Sequence, residues 1–270
     1  MADRQLDKNY LVIRKRTYGE LIDLTFRLIQ KEGLRVYFWL ACLAVPFVFL
    51  NHYLARLVVE GLFGHGYGTE EWSIAYGFML FFLTLAEIPF VSSLPIIYLG
   101  KRIFAPETQP EGLEVFGSWL ESFGQLFFFL LLLFPMTLFF YECTVEIIVL
   151  EKTPFVGKKN DRISTFKRMK IFHQGRFGEQ IAFGLFTALF AALILPGMYL
   201  CISYGIDLFF GNLLGETPVF TVVVFPLFLW ICSGPVIILH FLRYLDMRIE
   251  REGWDVELAF RAERARMKDQ

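Results

Sequence analysis

Five apolar blocks, at about 36–60, 73–99, 123–150, 180–206 and 218–242, restrict this chain more than any other feature. Crossing bilayer hydrocarbon takes roughly 20 mainly apolar residues in a helix. Each block is that long, and none shows the 2- or 3.6-residue alternation of a half-exposed strand or helix. Hydrocarbon offers no water to backbone amides, so a spanning segment satisfies its own hydrogen bonds as a helix. A large soluble core is the competing explanation. Yet 56% of the residues are hydrophobic, against about 45–50% apolar in a soluble chain, and the excess lies in blocks. The fold class read from this is all-α: a polytopic transmembrane helical bundle.

Charge placement orients the bundle. Residues 1–35, 151–179 and 243–270 hold all 26 Lys and Arg except Arg56, Lys101 and Arg102. Basic flanks mark the cytoplasmic side, so these three segments face inward and the loops near 61–72 and 207–217 face outward. Three blocks lie between the first two basic segments, and an odd number of crossings would put one segment on the wrong face. One block must turn back. Pro135 interrupts the block at 123–150, which predicts a hairpin of 113–133 and 136–150. The competing hairpin is 73–99, with Pro89 and Pro95. The result is about six spans (36–60, 73–99, 113–133, 136–150, 180–206 and 218–242) in a membrane domain over 36–242. A cytoplasmic segment, 1–35, precedes it and a charged cytoplasmic tail, 243–270, completes the chain. No cleavable leader pattern precedes the first span, which is read as an uncleaved anchor. A net charge of −1 gives no reason to expect nucleic acid as a partner.

Amphipathic helices with a basic face are predicted beside the membrane. Residues 17–33 align Leu21, Leu24, Leu28 and Ile29. Residues 161–174 align Ile163, Phe166, Met169 and Phe172, with Arg162, Lys167, Arg168 and Lys170 around the other side. A weaker copy covers 112–124. The first two are read as stopping at Gly33 and Gly175. Such helices lie among headgroups and attract anionic lipid; the same basic face could also dock a membrane or cytosolic protein. In the tail, charges alternate at helical spacing, and Asp246, Arg248, Trp254 and Asp255 are further contact residues for a lipid or partner.

Charged groups inside a span are costly and mark candidate sites. Arg56 and Glu60 sit four apart near the outer end of the first span, as a local pair. Glu87 lies deeper without a local partner, and Arg56 or His52 could face it. Glu142 and Glu146 share a helix face, either as a cation-binding pair or as carboxylates neutralised by Lys152, Lys158 and Lys159. His240 lies at the inner end of the last span, where an imidazole can relay protons or simply mark the interface. The histidines at 52, 65, 173 and 240 are spread over both faces, and the four cysteines lie inside apolar blocks without ligand spacing. No hydrolase, P-loop, zinc or redox motif occurs. The sequence therefore predicts no enzyme, no cofactor and no metal.

Three stretches together resemble a broad bacterial family. They are RTYGELIDLTFRLIQKEG at 16–33, IIVLEKTPFVGKKNDRISTFKRMKIFHQGRFGEQIAFG at 147–184, and YLDMRIEREGWDVEL at 244–258. The chain looks like multi-pass membrane proteins labelled glycerophosphoryl diester phosphodiesterase membrane domain-like. Their shared features are a span ending in Val-Leu-Glu (here Val149, Leu150 and Glu151), a basic amphipathic helix, and a tail matched here by Tyr244, Asp246, Arg248, Glu252, Gly253, Trp254 and Asp255. The phosphodiesterase domain of the label and its catalytic set are missing, so the resemblance implies no such activity. It implies a bacterial inner-membrane location and a non-enzymatic role in a multi-protein assembly. The alternative is a transporter or lipid-handling protein that uses Arg56, Glu87, Glu142 and Glu146 along an internal path.

Overall fold

A computed structural model describes residues 16–64, 70–104, 110–133, 143–154, 163–175, 177–210 and 225–252. It contains eight helices over these residues and no strand among them. They are α1 (Tyr18–Phe63), α2 (Glu70–Val91), α3 (Ser93–Phe104), α4 (Gly112–Leu133), α5 (Thr144–Glu151), α6 (Thr165–His173), α7 (Phe177–Phe210) and α8 (Phe225–Glu252).

Helix α1 begins on a capping box. Thr17 accepts from the Glu20 amide while the Glu20 carboxylate accepts from the Thr17 amide, which satisfies two of the orphan donors at a helix start. The helix then runs 46 residues without a break. Gly33 does not end it, contrary to the reading of 17–33 as a separate element. The reason lies in the buried stripe. Leu21, Thr25, Leu28, Glu32, Val36, Leu40, Ala44 and Val48 are all buried, and they stay in helical phase across Gly33. An interior glycine costs only about 1 kcal/mol relative to alanine, less than that stripe returns by packing. The copy at 112–124 is likewise no separate element, because α4 runs through it to Leu133. At Gly175 the chain does turn: this residue adopts φ 79°, a left-handed conformation suited to glycine, and the helices on either side are bent by 92°.

Three helical stretches among the described residues are long and apolar enough to cross a membrane: Tyr18–Leu62, Ile74–Ile103 and Phe225–Arg251, with a fourth if the bent pair of α6 and α7 forms one span. The stretch Ile74–Ile103 unites α2 and α3, so the block at 73–99 runs on rather than turning back. Its small break at Ser92 has a local cause. Pro95 has no amide hydrogen for the Val91 carbonyl, and Ser92 and Ser93 donate their hydroxyls back to Pro89 O and Phe90 O. Pro135 and its hairpin lie outside the described residues. The described helices on either side place the middle of α4 against the end of α5, with Gln125 Nε2 donating to Thr153 O at 2.8 Å. By itself α5 has only eight residues.

Outward-facing side chains agree with an apolar surrounding. Along α7, Leu189 and Leu193 lie four residues apart and point away from the protein, Leu193 with 69% of its surface free. Phe78 and Phe82 on α2 and Phe49, Tyr53 and Leu57 on α1 do the same. Such contiguous apolar surface is rare on a water-soluble monomer.

The most extensive helix contact joins α1 to α8. Pro235 lies inside α8, so the carbonyl of Ile231, four residues earlier, loses its donor. Tyr37 of α1 supplies one: its hydroxyl donates to Ile231 O at 3.0 Å. Gly234 makes the approach feasible, because a Cβ there would lie 2.6 Å from the Tyr37 ring. Removing the hydroxyl with Tyr37→Phe should lower stability in detergent by about 1–2 kcal/mol. In a Pro235→Ala background, where the amide returns, the same change should be close to neutral. Thermal unfolding of the four proteins checks this, and equal losses in both backgrounds would refute the assignment.

Candidate functional site

Of the polar residues singled out in the spans, those toward the C-terminal half of α1 are satisfied locally. Arg56 Nε donates to Glu60 Oε1 at 2.6 Å. His52 Nδ1 lies 2.6 Å from the Tyr76 hydroxyl. Glu87 is not met by either of them. Its partner is Asn51, whose Nδ2 donates to Glu87 Oε2 at 2.8 Å while the buried Asn51 Oδ1 has no hydrogen-bond partner among the described residues. The Asn51 amide is neutral, so opposite charge in the sequence gives no pointer to it.

At the other end of the bundle the charged residues form a belt. Glu151 closes α5 and is nearly buried. It accepts from Arg168 of α6 through Nε at 2.6 Å and a terminal nitrogen at 3.2 Å. It also accepts from the Tyr244 hydroxyl of α8 at 2.9 Å, and Arg248 Nε stands 3.9 Å away. Asp246, 2% exposed, accepts from the Arg16 guanidinium at 2.9 Å and from its backbone amide at 3.2 Å. Arg251 donates to Gln174 O at 2.6 Å, closing the carbonyl end of α6. On α1, Glu32 gathers Tyr98 at 2.6 Å, Arg102 at 3.0 Å and Arg35 at 3.2 Å. The start of α1, the turn from α5 through α6, and the end of α8 therefore meet at one end of the molecule.

This belt changes how several contact candidates read. Arg168, Asp246 and Arg248 reach inward and tie helices together. Lys167 and Lys170 of α6 stay exposed beside Phe166 and Ile171. Arg162, Trp254, Asp255 and Glu142 lie outside the described residues. Lys152, read as a neutraliser of Glu142 and Glu146, pairs with Glu121 of α4.

Glu146 is buried and faces a feature the sequence did not announce. A cavity of about 750 Å³ opens between α2, α3, α4, α5, α7 and α8. Its walls are mostly apolar, with Phe81, Leu85 and Ile88 from α2, Ala188 and Ala191 from α7, and Leu229 and Ile237 from α8. Its polar lining comprises Glu146, Gln180 and His240 together with hydroxyl residues, among them Thr84 and Thr187, whose buried hydroxyls have no hydrogen-bond partner among the described residues. Glu151 bonded to Tyr244 fixes α5 against α8, which sets Glu146 and His240 at similar depth about one turn behind the belt. Phe183 touches His240 edge-on at 5.4 Å between ring centres, which brings Gln180 of α7 to the same end. Glu146, Gln180 and His240 all line the cavity, whereas Glu87 and Arg56 do not. Of the four polar residues proposed along one internal path, Glu146 thus lies apart from Glu87 and Arg56, and Glu142 is outside the described residues. No group of three metal-ligating side chains occurs among the described residues. An apolar chamber of this size with a few polar groups on its walls has the build of a small-molecule site.

The belt is a joint as well as a border. Glu151→Gln should remove the charge-assisted bonds and cost about 2–3 kcal/mol, and trypsin should cut at Lys167 and Lys170 sooner in the variant than in the parent. Unchanged cleavage and melting would mean that α6 is held by other contacts. Compared with protein-family models, curated proteins and solved structures, the chain has no match in any of the three.

Proposed function

We propose that the chain is a non-enzymatic, multi-pass protein of a bacterial inner membrane that takes a single amphiphilic lipid into the cavity between α2, α5, α7 and α8. The cavity carries this reading: about 750 Å³ of mainly apolar space with a small number of polar side chains on its walls. A mostly apolar molecule that carries a few polar groups suits such a chamber. The apolar outer surface of α7 and α2 supports a bilayer as the source of the occupant. In this reading the belt end is cytoplasmic, as the basic segments that meet there favour. The exposed Lys167 and Lys170, with Phe166 between apolar and charged faces, rest on anionic headgroups.

The role in a multi-protein assembly is the competing reading. It rests on the family resemblance and on residues of the tail, while Arg168, Asp246 and Arg248 are engaged within the chain. The two readings part at purification. Protein extracted from native membranes in mild detergent should carry lipid at about one molecule per chain in native mass spectrometry. Gly184 lies in the middle of the cavity-facing stripe of α7, and a Cβ there meets nothing within 4 Å. Gly184→Phe should therefore fill the chamber without disturbing the fold, and lipid occupancy should fall at least tenfold at equal membrane abundance. Undiminished lipid in that variant, or stoichiometric protein partners with no lipid, would reject lipid binding as the function.

A further inference from the structure

Glu87 takes no part in the cavity, yet its surroundings are unusual for a carboxyl. Its one polar contact among the described residues is the Asn51 amide, whose Nδ2 donates to Oε2 at 2.8 Å. No lysine, arginine or histidine among those residues pairs with it. An ionised carboxylate offers acceptors alone, and here a single neutral donor meets them. An unpaired charge among apolar side chains is so costly that such groups take up a proton instead.

Asn51 supplies a second, independent sign. It is 1% exposed, and its Oδ1 is buried without a hydrogen-bond partner among the described residues. The Thr84 hydroxyl, one turn before Glu87 on α2, is also buried without a partner and does not serve this oxygen. Asn51 therefore needs a donor where Glu87 needs its charge removed. An amide and a carboxyl each carry two polar atoms on one carbon. Placed edge to edge they form two parallel hydrogen bonds, but only when the carboxyl holds a proton. Turning the amide over does not remove the need, because Oδ1 would then stand against Glu87 Oε2, again acceptor against acceptor.

We infer that Glu87 and Asn51 form a proton-binding site between α1 and α2, in which a neutral Glu87 carboxyl donates from Oε1 to Asn51 Oδ1 while Asn51 Nδ2 donates to Oε2. Release of the proton to water leaves Oε1 and Oδ1, two acceptors, face to face and restores a charge, so the contact between the helices loosens. The proton acts as a clasp. The site stands whatever the cavity holds, since neither Asn51 nor Glu87 lines it. Other ionisable groups on the elements packed against α2 are engaged elsewhere. On α1, His52 bonds Tyr76 and Arg56 bonds Glu60. Arg102 of α3 is held by Glu32, Lys101 of α3 by Glu114 of α4, and Glu121 of α4 by Lys152. On α8, Cys232 and His240 line the cavity, and Arg243 reaches Glu179.

The test is infrared spectroscopy of the full-length protein in detergent at neutral pH, comparing the parent with Glu87→Gln. The parent should show a protonated carboxyl C=O band that shifts in heavy water and is absent from the variant. Asn51→Leu removes the acceptor and should move that band to the higher wavenumber of a carboxyl without a hydrogen bond. Thermal melting gives a second readout. Glutamine replaces the O–H donor by N–H, so Glu87→Gln should melt close to the parent at neutral pH. Above about pH 5 an unfolded glutamate is ionised, so unfolding of the parent releases a proton that the variant lacks. Parent stability should therefore fall relative to Glu87→Gln as pH rises, by up to about tenfold in the folding equilibrium per pH unit. Identical carboxyl bands in parent and Glu87→Gln, or a melting difference that does not change with pH, would overturn the site. If Glu87→Gln does not fold, a carboxyl band left unmoved by Asn51→Leu would overturn it equally.

Discussion

A carbonyl without a donor has nowhere to turn when the surroundings are apolar, and that constraint runs through this molecule. Water would meet a freed backbone group at little cost, but in hydrocarbon each must find a partner inside the protein. Pro235 frees one carbonyl in α8, and the answer comes from Tyr37 on α1, across a gap that only Gly234 leaves open. Two helices nearly two hundred residues apart in sequence are thereby pinned at one level. Near the junction of α2 and α3, Ser92 and Ser93 turn their hydroxyls back to Pro89 O and Phe90 O within the same segment. Proline here does not simply weaken helices. It decides which of them must touch.

The same constraint sorts the charged residues. Glu32, Glu151 and Asp246 are buried or nearly so; Glu32 and Glu151 gather donors from other helices, and Asp246 accepts twice from Arg16 just before α1. Removing one side of such a pair leaves a buried charge exposed to apolar surroundings, which is why these pairs constrain geometry more than they add stability. Because Glu151 is held from α6 and α8 together, the depth of α5 is fixed relative to both. Glu146, just over one turn back, and His240, one turn before Tyr244, are set at similar depth as a result, and both line the cavity. Their level in the cavity is in this sense a by-product of the belt.

The helical blocks could be read from hydropathy alone, since a run of some 20 apolar residues has few other outcomes. The continuity of α1 is legible too, because the buried stripe from Leu21 to Val48 keeps its phase across Gly33, a stronger signal than the glycine itself. The partners of the charged residues were a different matter. Lys167 and Arg168 are neighbours of the same type, yet one faces outward and the other reaches Glu151, and only the position of α5 distinguishes them. Glu87 found an amide rather than a charge. The cavity was illegible for a further reason: its walls come from six helices, and Leu85, Ala188 and Ile237 look like any other core residues until the helices fail to close over them.

Helix α1 has 46 residues, about 69 Å at 1.5 Å per residue, more than twice the roughly 30 Å of bilayer hydrocarbon. An unbroken helix of that length behaves as a stiff rod. It is tied in different neighbourhoods, just before its start by Arg16 to Asp246 at the belt and farther along by Asn51 to Glu87. A change in tilt imposed where the rod leaves the membrane, by a thicker bilayer or a bound surface, would swing Asn51 by leverage rather than through any chain of side-chain contacts. The protein thus has a mechanical line from one face to the other that does not pass through its cavity.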